Sequence, residues 1–243
     1  MKPMSNHHGR RIWLAFLASL VVLASIEASA APALSCPIPL EKGTRWTYKG
    51  TVRWTAVNSG ARGPANIQWV MEVVDLVTNQ SARAAVVRGI PDELTGYEAG
   101  FQPGYSMLLC VSNRVYRFGE ATEQQARNKA YALLKSPPQT VPDCNEFLVL
   151  PLAKGKEWAG DSERPDHWYR WYVESEGRRR LRIEGSPLRG PTRKWRIAFR
   201  TCPDHQIMEI VEGLGITHFV YEHHGTVQSV DVRLVSVRLP TVR

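Results

Sequence analysis

Along most of the chain the hydrophobic period is two. Trp46, Tyr48, Val52 and Trp54 fall on one parity and Thr47, Lys49, Thr51 and Arg53 on the other, the pattern of a half-buried strand. Residues 67–77 predict a second strand, apolar on both parities in places (Trp69, Val70, Met71, Val73, Val74), and 84–88 a third. Residues 107–111 and 114–118 flank Ser112-Asn113 and read as a hairpin. Further on, 167–174 is an aromatic strand, and Leu181 and Ile183 mark a short one. Trp195, Ile197 and Phe199 alternate with Arg196, Ala198 and Arg200. Residues 215–223 and 227–239 form a last long hairpin around His224-Gly225-Thr226. One segment has helical spacing. Thr122 and Gln125 make a capping box, Ala126, Ala130, Leu133 and Leu134 recur on one face, and Pro137-Pro138 follows, so a helix is expected from Thr122 to Lys135.

An internal repeat organises these elements. Pro39-Leu40-Glu41-Lys42-Gly43-Thr44-Arg45-Trp46 aligns with Pro151-Leu152-Ala153-Lys154-Gly155-Lys156-Glu157-Trp158, both reading P-L-x-K-G-x-x-W. Each reads as a corner entering a strand: Pro blunts the edge, Gly permits a positive φ, and Trp plugs the core. The expected architecture is mainly β: a curved antiparallel sheet or open β-barrel with one covering helix and a duplicated corner. It forms a single domain over 31–243 with similar halves at about 36–140 and 144–243.

The opening P-L-x-x-G-x-x-W-x-Y (Pro39, Leu40, Gly43, Trp46, Tyr48), its second copy at Pro151 to Trp158, and the closing Gly213-Leu214-Gly215-Ile216 with Tyr221 and Leu234 resemble a group of uncharacterised secreted bacterial proteins. That group is similar to the lipoprotein-carrier type of open β-barrel, a curved antiparallel sheet around a helix. The resemblance spans most of the mature chain, rests on structural positions, and implies fold rather than activity; it brings no catalytic residues. Glu212 stands where the group has Pro before the closing Gly, and the basic segment described below lies outside the pattern.

The N-terminus supplies the compartment. Lys2, Arg10 and Arg11 precede an apolar run from Ile12 to Ile26, and Ala28-Ser29-Ala30 is an A-x-A cleavage site. Residues 1–30 therefore read as a signal peptide, the expected location is the periplasm or the medium, and no membrane span is expected after cleavage. Cys36, Cys110, Cys144 and Cys202 all lie in the mature part, and an even count in an exported chain favours two disulfides, with three connectivities open.

Charge changes the picture next. The 243-residue chain carries a formal +8. Nine cations lie between residues 178 and 200: Arg178, Arg179, Arg180, Arg182, Arg189, Arg193, Lys194, Arg196 and Arg200, with Glu184 the one acid among them. Arginine suits bidentate contact with phosphate or carboxylate, so Arg178, Arg179, Arg180, Arg182, Arg193, Lys194 and Arg196 are the anion-binding candidates. In an exported protein the anion is a lipid, a glycan or an envelope protein, not nucleic acid. Trp168, Tyr169, Trp171 and Tyr172 are the ligand-binding candidates, with rings on both faces of one strand; the helix is a candidate cover for the second face.

Enzyme motifs are missing from the sequence. There is no Walker, Rossmann, kinase or zinc-finger pattern and no G-x-S-x-G elbow. His218, Glu222 and His224 would share one strand face, with His223 on the other, at a spacing that matches no zinc motif. Asp204-His205 beside Cys202 would suit a Cys–His pair only with an unbridged Cys202. No cofactor, metal or catalytic residue is assigned. The expected function is an exported non-catalytic envelope protein that binds an apolar or amphiphilic anionic ligand, or a lipoprotein-like partner. The alternative is a structural or interaction module of a cell-surface assembly; a hydrolase using His218, Glu222 and His205 comes third.

Overall fold

The computed structural model describes residues 36–55, 60, 62–135, 145–160, 167–223 and 227–240. The signal segment and Cys144 lie outside them. Twelve strands follow in chain order: β1 (Arg45–Trp54), β2 (Ala65–Thr78), β3 (Ala82–Arg88), β4 (Tyr105–Val111), β5 (Arg114–Glu120), β6 (Glu146–Val149), β7 (Glu157–Trp158), β8 (Trp171–Arg179), β9 (Thr192–Arg200), β10 (His205–Val211), β11 (Gly215–Glu222) and β12 (Val227–Arg238). A short 3-10 helix covers Pro91–Gly96, and α1 runs from Glu123 to Lys135. The strands form one antiparallel sheet in the order β6-β5-β4-β3-β2-β1-β12-β11-β10-β9-β8-β7. Its two ends, β6 and β7, touch, so the sheet is a nearly closed barrel.

Every strand pairs with its chain neighbours except across the step from β6 to β7, which are the two ends of the sheet. The strand pairing that joins the two ends of the chain is β1 with β12, running from Arg45 opposite Arg238 to Trp54 opposite Val227. Two six-stranded meanders, β1–β6 and β7–β12, thus join through the first strand of one and the last strand of the other.

The alternation of β1 sends Trp46, Tyr48, Val52 and Trp54 inward, where they meet Met208, Ile210, Phe219, Val230 and Val232. Trp46 and Tyr48 are completely buried. Their polar atoms are satisfied across the barrel: Trp46 Nε1 donates to the Leu214 carbonyl (2.6 Å) and Tyr48 OH to that of Ile216 (2.9 Å). Burial holds the Tyr48 phenol well above its usual pKa. Large side chains fill the middle of the barrel, as in other small barrels.

The two corners are built alike. Gly43 N donates to Val73 O and Val73 N to Thr44 O; Gly155 N donates to Val173 O and Val173 N to Lys156 O, all at 2.8–2.9 Å. Both glycines have positive φ (89° and 83°), which a residue with a Cβ adopts only under strain. Each receiving valine is followed by a bulge, between Val73 and Asp75 and between Val173 and Ser175. The Trp indoles differ: the Trp158 Nε1 is buried without a hydrogen-bond partner.

A second apolar cluster lies outside the barrel. Ala126, Ala130 and Leu134 of α1 pack on Ala82, Ala84, Val86, Met107, Leu109 and Tyr116. Small residues on both sides let helix and sheet approach closely. The capping box forms: Thr122 N donates to Gln125 Oε1 (3.1 Å) and Gln125 N to Thr122 Oγ1 (3.2 Å). Asn79 Nδ2 donates to the Leu134 carbonyl at the other end (3.0 Å).

Several expectations need correction. The helix covers β3 and β4, not the aromatic strand. That strand begins at Trp171; His167 and Tyr169 have positive φ (59° and 62°), so the residues before it form a turn. Leu181 and Ile183 are not in a strand; with Leu188 they pack on the core from the β8–β9 connection. The alternation predicts neither β6 nor β10, and the final hairpin's turn, 224–226, lies outside the described residues.

Candidate functional site

The alternation of β9 buries Trp195 and Ile197 and turns Lys194, Arg196 and Arg200 outward. In the sequence these cations face only Glu184. The fold brings carboxylates to them from neighbouring strands. Glu174 of β8 accepts from Arg196 Nε (2.7 Å) and also pairs with Arg200. Glu209 of β10 pairs with Lys194 (2.7 Å) and lies 3.8 Å from Arg196. His218 on β11 lies 3.6 Å from Glu209 and hydrogen-bonds Asp231 of β12 (2.9 Å), which lies 3.7 Å from Arg233. A band of paired charge thus crosses β8 to β12. The neighbouring His218 ring, then Lys194, holds the Glu209 carboxyl down at about 2 against the effect of burial.

The arginines divide accordingly. Lys194, Arg196 and Arg200 are matched within the band. Arg193 has a looser contact with Glu176 (3.7 Å) and its guanidinium sits 5.9 Å from the Trp195 ring centre. Arg178, Arg179, Arg180, Arg182 and Arg189 are exposed, and among the described residues none has a carboxylate partner. Arg178 stands directly opposite Arg193 in the β8–β9 ladder, a like-charge pairing that costs stability.

The backbone at this place is also open. β7 pairs with β8 only at Tyr172 and Trp171. From Glu174 to Arg179, no described strand lies on the far side of β8. An edge of this kind presents unpaired N–H and C=O groups. Beyond it the chain turns along the barrel end, where Glu184 N donates to Val235 O (3.2 Å) and Val237 N to Glu184 O (2.8 Å). Leu181, Ile183 and Leu188 tuck inward there, and Arg180, Arg182 and Arg189 remain outside.

The four aromatic candidates do not form one platform. Trp171 turns to the core and packs on Phe199 (centroids 5.2 Å apart). Tyr172 faces out, stacked on His167 (5.1 Å) and donating to Glu174 (3.2 Å). Trp168 meets His205 edge-on (6.0 Å), and Tyr169 OH accepts from Cys202 N (3.4 Å).

The histidines are likewise separated in role. His205 stands opposite Glu222 on the outer face of β10 and β11, but His218 lies four residues along β11, about 13 Å away at strand rise. His223 pairs with Asp204, and His224 lies outside the described residues. His205, Glu222, Asp231 and Arg53 line an open outer cleft of about 920 Å³ together with Cys202. Cys202 is an exposed free thiol, and no hydrogen bond among the described residues joins it to His205. Cys36 and Cys110 are also unbridged in this structure. No cluster of three metal-ligating side chains occurs among the described residues.

No family model and no curated protein matches the chain. Two solved structures overlap with it. One is a candidate lipoprotein from Parabacteroides distasonis, 12% identical, covering 84% of this chain and 99% of that one at a TM-score of 0.34. The other is a candidate exported protein with a YmcC-like fold from Bacteroides fragilis, 13% identical, covering 83% and 98% at a TM-score of 0.34. Likeness at that level carries no argument about function.

Proposed function

We propose that the chain is an exported, non-catalytic envelope protein that acts by contact, docking an extended acidic segment of a partner protein along the free edge of β8. The observation that carries this reading is the coincidence of an open strand edge from Glu174 to Arg179 with four exposed arginines, Arg178, Arg179, Arg180 and Arg182, that lack carboxylate partners among the described residues. An added strand takes affinity from main-chain hydrogen bonds and specificity from side chains. The same charges keep two copies from pairing edge to edge and select an acidic strand. The export signal in residues 1–30 puts the contact outside the inner membrane. A ligand inside the barrel is disfavoured, because Trp46, Tyr48 and Phe219 occupy that space.

The test is fluorescence anisotropy with a labelled peptide of alternating Glu and Val, beside flotation with phosphatidylglycerol vesicles. The parent protein binds the peptide, binding weakens in high salt, and Arg179→Glu combined with Arg180→Glu weakens it at least about tenfold. Equal peptide binding by variant and parent overturns the reading. Binding to vesicles but not to peptide overturns it too, and assigns the arginines to a lipid head group.

A further inference from the structure

The outer parity of β1 carries Arg45, Thr47, Lys49, Thr51 and Arg53. The register with β12 sets Arg45 directly opposite Arg238 and Lys49 directly opposite Arg233. All of these arginines and Lys49 are exposed. Like charges opposed across a ladder cost stability, and this ladder holds two such pairs. They stand four residues apart along the strand, roughly 13 Å, and Arg53 continues the line by the same step.

The protein leaves this line largely unmatched. On β9, Lys194 and Arg196 each meet a carboxylate. On the β1–β12 face two acids are near. Asp231 hydrogen-bonds His218 and lies 3.7 Å from Arg233, and Glu72 of β2 stands opposite Arg45. Among the described residues Arg45, Lys49, Arg53 and Arg238 take part in no ion pair. The same face also holds out an apolar side chain. Thr47 pairs with Ser236 but Tyr48 with Leu234, so Val235 is the extra residue of a bulge, a device that re-aims a side chain. Val235 is 37% exposed; among the described residues Tyr131 is the other large hydrophobic left exposed. Val235 therefore stands out between Arg233 and Arg238, amid cations.

We propose that the outer face of the β1–β12 ladder rests on an anionic lipid surface. Arg45, Lys49, Arg53, Arg233 and Arg238 meet the phosphates, and Val235 touches the boundary between head groups and acyl chains. A convex barrel wall meets a plane along a line, and these cations form a line along two paired strands. Each basic side chain near an anionic bilayer adds attraction, and a projecting apolar group adds contact that salt does not screen. The face carries no aromatic ring for a sugar to stack on, so a lipid surface suits it better than a glycan. The inference is independent of what the β8 edge binds.

Flotation of the exported, signal-cleaved protein with vesicles of phosphatidylglycerol and phosphatidylcholine, against phosphatidylcholine alone, tests this. The parent floats with the anionic vesicles only, and less in high salt. Lys49→Glu combined with Arg233→Glu lowers the partition at least about thirtyfold, whereas Arg179→Glu with Arg180→Glu on the β8 edge lowers it far less. Lys49→Glu alone separates contact from folding. It turns a like-charge pair into an opposite-charge one, so the melting temperature holds or rises while flotation falls. Val235→Ser weakens flotation and leaves its salt dependence unchanged. A parent that does not float, or flotation lost with the Arg179 and Arg180 changes but kept with those at Lys49 and Arg233, overturns the proposal. Equal flotation of Val235→Ser and parent overturns the lipid assignment in favour of a partner that takes charge alone, such as an acidic glycan.

Discussion

On β3 and β4 the outward positions are Ala82, Ala84, Val86, Met107 and Leu109, and α1 lies on them. On β9 and β10, their counterparts in the second meander, the outward positions include Lys194, Arg196, Arg200 and Glu209, and ion pairs lie there instead. The cause is one connection. The chain between β5 and β6 is long enough to hold α1, whereas between β11 and β12 only residues 223–226 intervene. The same barrel wall is therefore sealed by apolar packing in one half and by charge pairing in the other. Apolar burial stabilises by about 25 cal/mol per Å². Exposed ion pairs contribute about 0–1 kcal/mol each. The first half is thus the stiffer wall, and the second half is the one with groups left over for a partner.

The largest effect should come from putting a charge under the helix. Ala126→Arg forces a guanidinium into the apolar contact with β3 and β4 and should cost about 3 kcal/mol or more. Arg196→Ala on the outer band should cost less than about 1 kcal/mol. Urea denaturation of both variants checks the contrast, and comparable losses would break it.

The corner tryptophans sharpen the comparison at the next level. Trp46→Phe leaves the buried Leu214 carbonyl without its donor and should cost about 2–3 kcal/mol. Trp158→Phe removes an indole N–H that already lacks a partner and should stay within about 1 kcal/mol. Equal costs in thermal denaturation would mean that the two corners carry equal load despite their different hydrogen bonding.

The smallest effect concerns pH. The Glu209 pKa is depressed in the folded protein, to about 2 from an ordinary value of 4.5. Its stabilisation is complete above the ordinary value and disappears as pH falls from there towards the folded one. Partial exposure reduces the effect, so Glu209→Gln should cost about 1 kcal/mol at pH 7 and nothing near pH 2. Denaturation midpoints of parent and variant that stay parallel through that window would contradict the assignment.

Much of the wall was legible because alternation reports how many faces are covered. In β9, Lys194, Arg196 and Arg200 fall on one parity and announce an outer face that carries charge. In β3, Ala84-Ala85-Val86-Val87 is unbroken and entirely buried, the pattern of a strand covered on both sides. That signal could have assigned α1 to β3 rather than to the aromatic segment. The aromatic run misled because Trp168 and Tyr169 have strand-like composition but sit in a turn with positive φ. β10 went unread since His205, Gln206 and Glu209 interrupt its apolar positions. The candidate site was half legible: the cations were visible as a run, but the acids opposing them were not.

Local chemistry settled the strands, the capped helix and the glycine corners, because side-chain period, capping and backbone freedom act over a few residues. The pairing of β1 with β12 and the partition of arginines into matched and unmatched depend on groups far apart in the chain. Only folding decides which carboxylate a guanidinium meets. Glu174 and Glu209 lie outside the basic run, and antiparallel register alone brings them to Arg196.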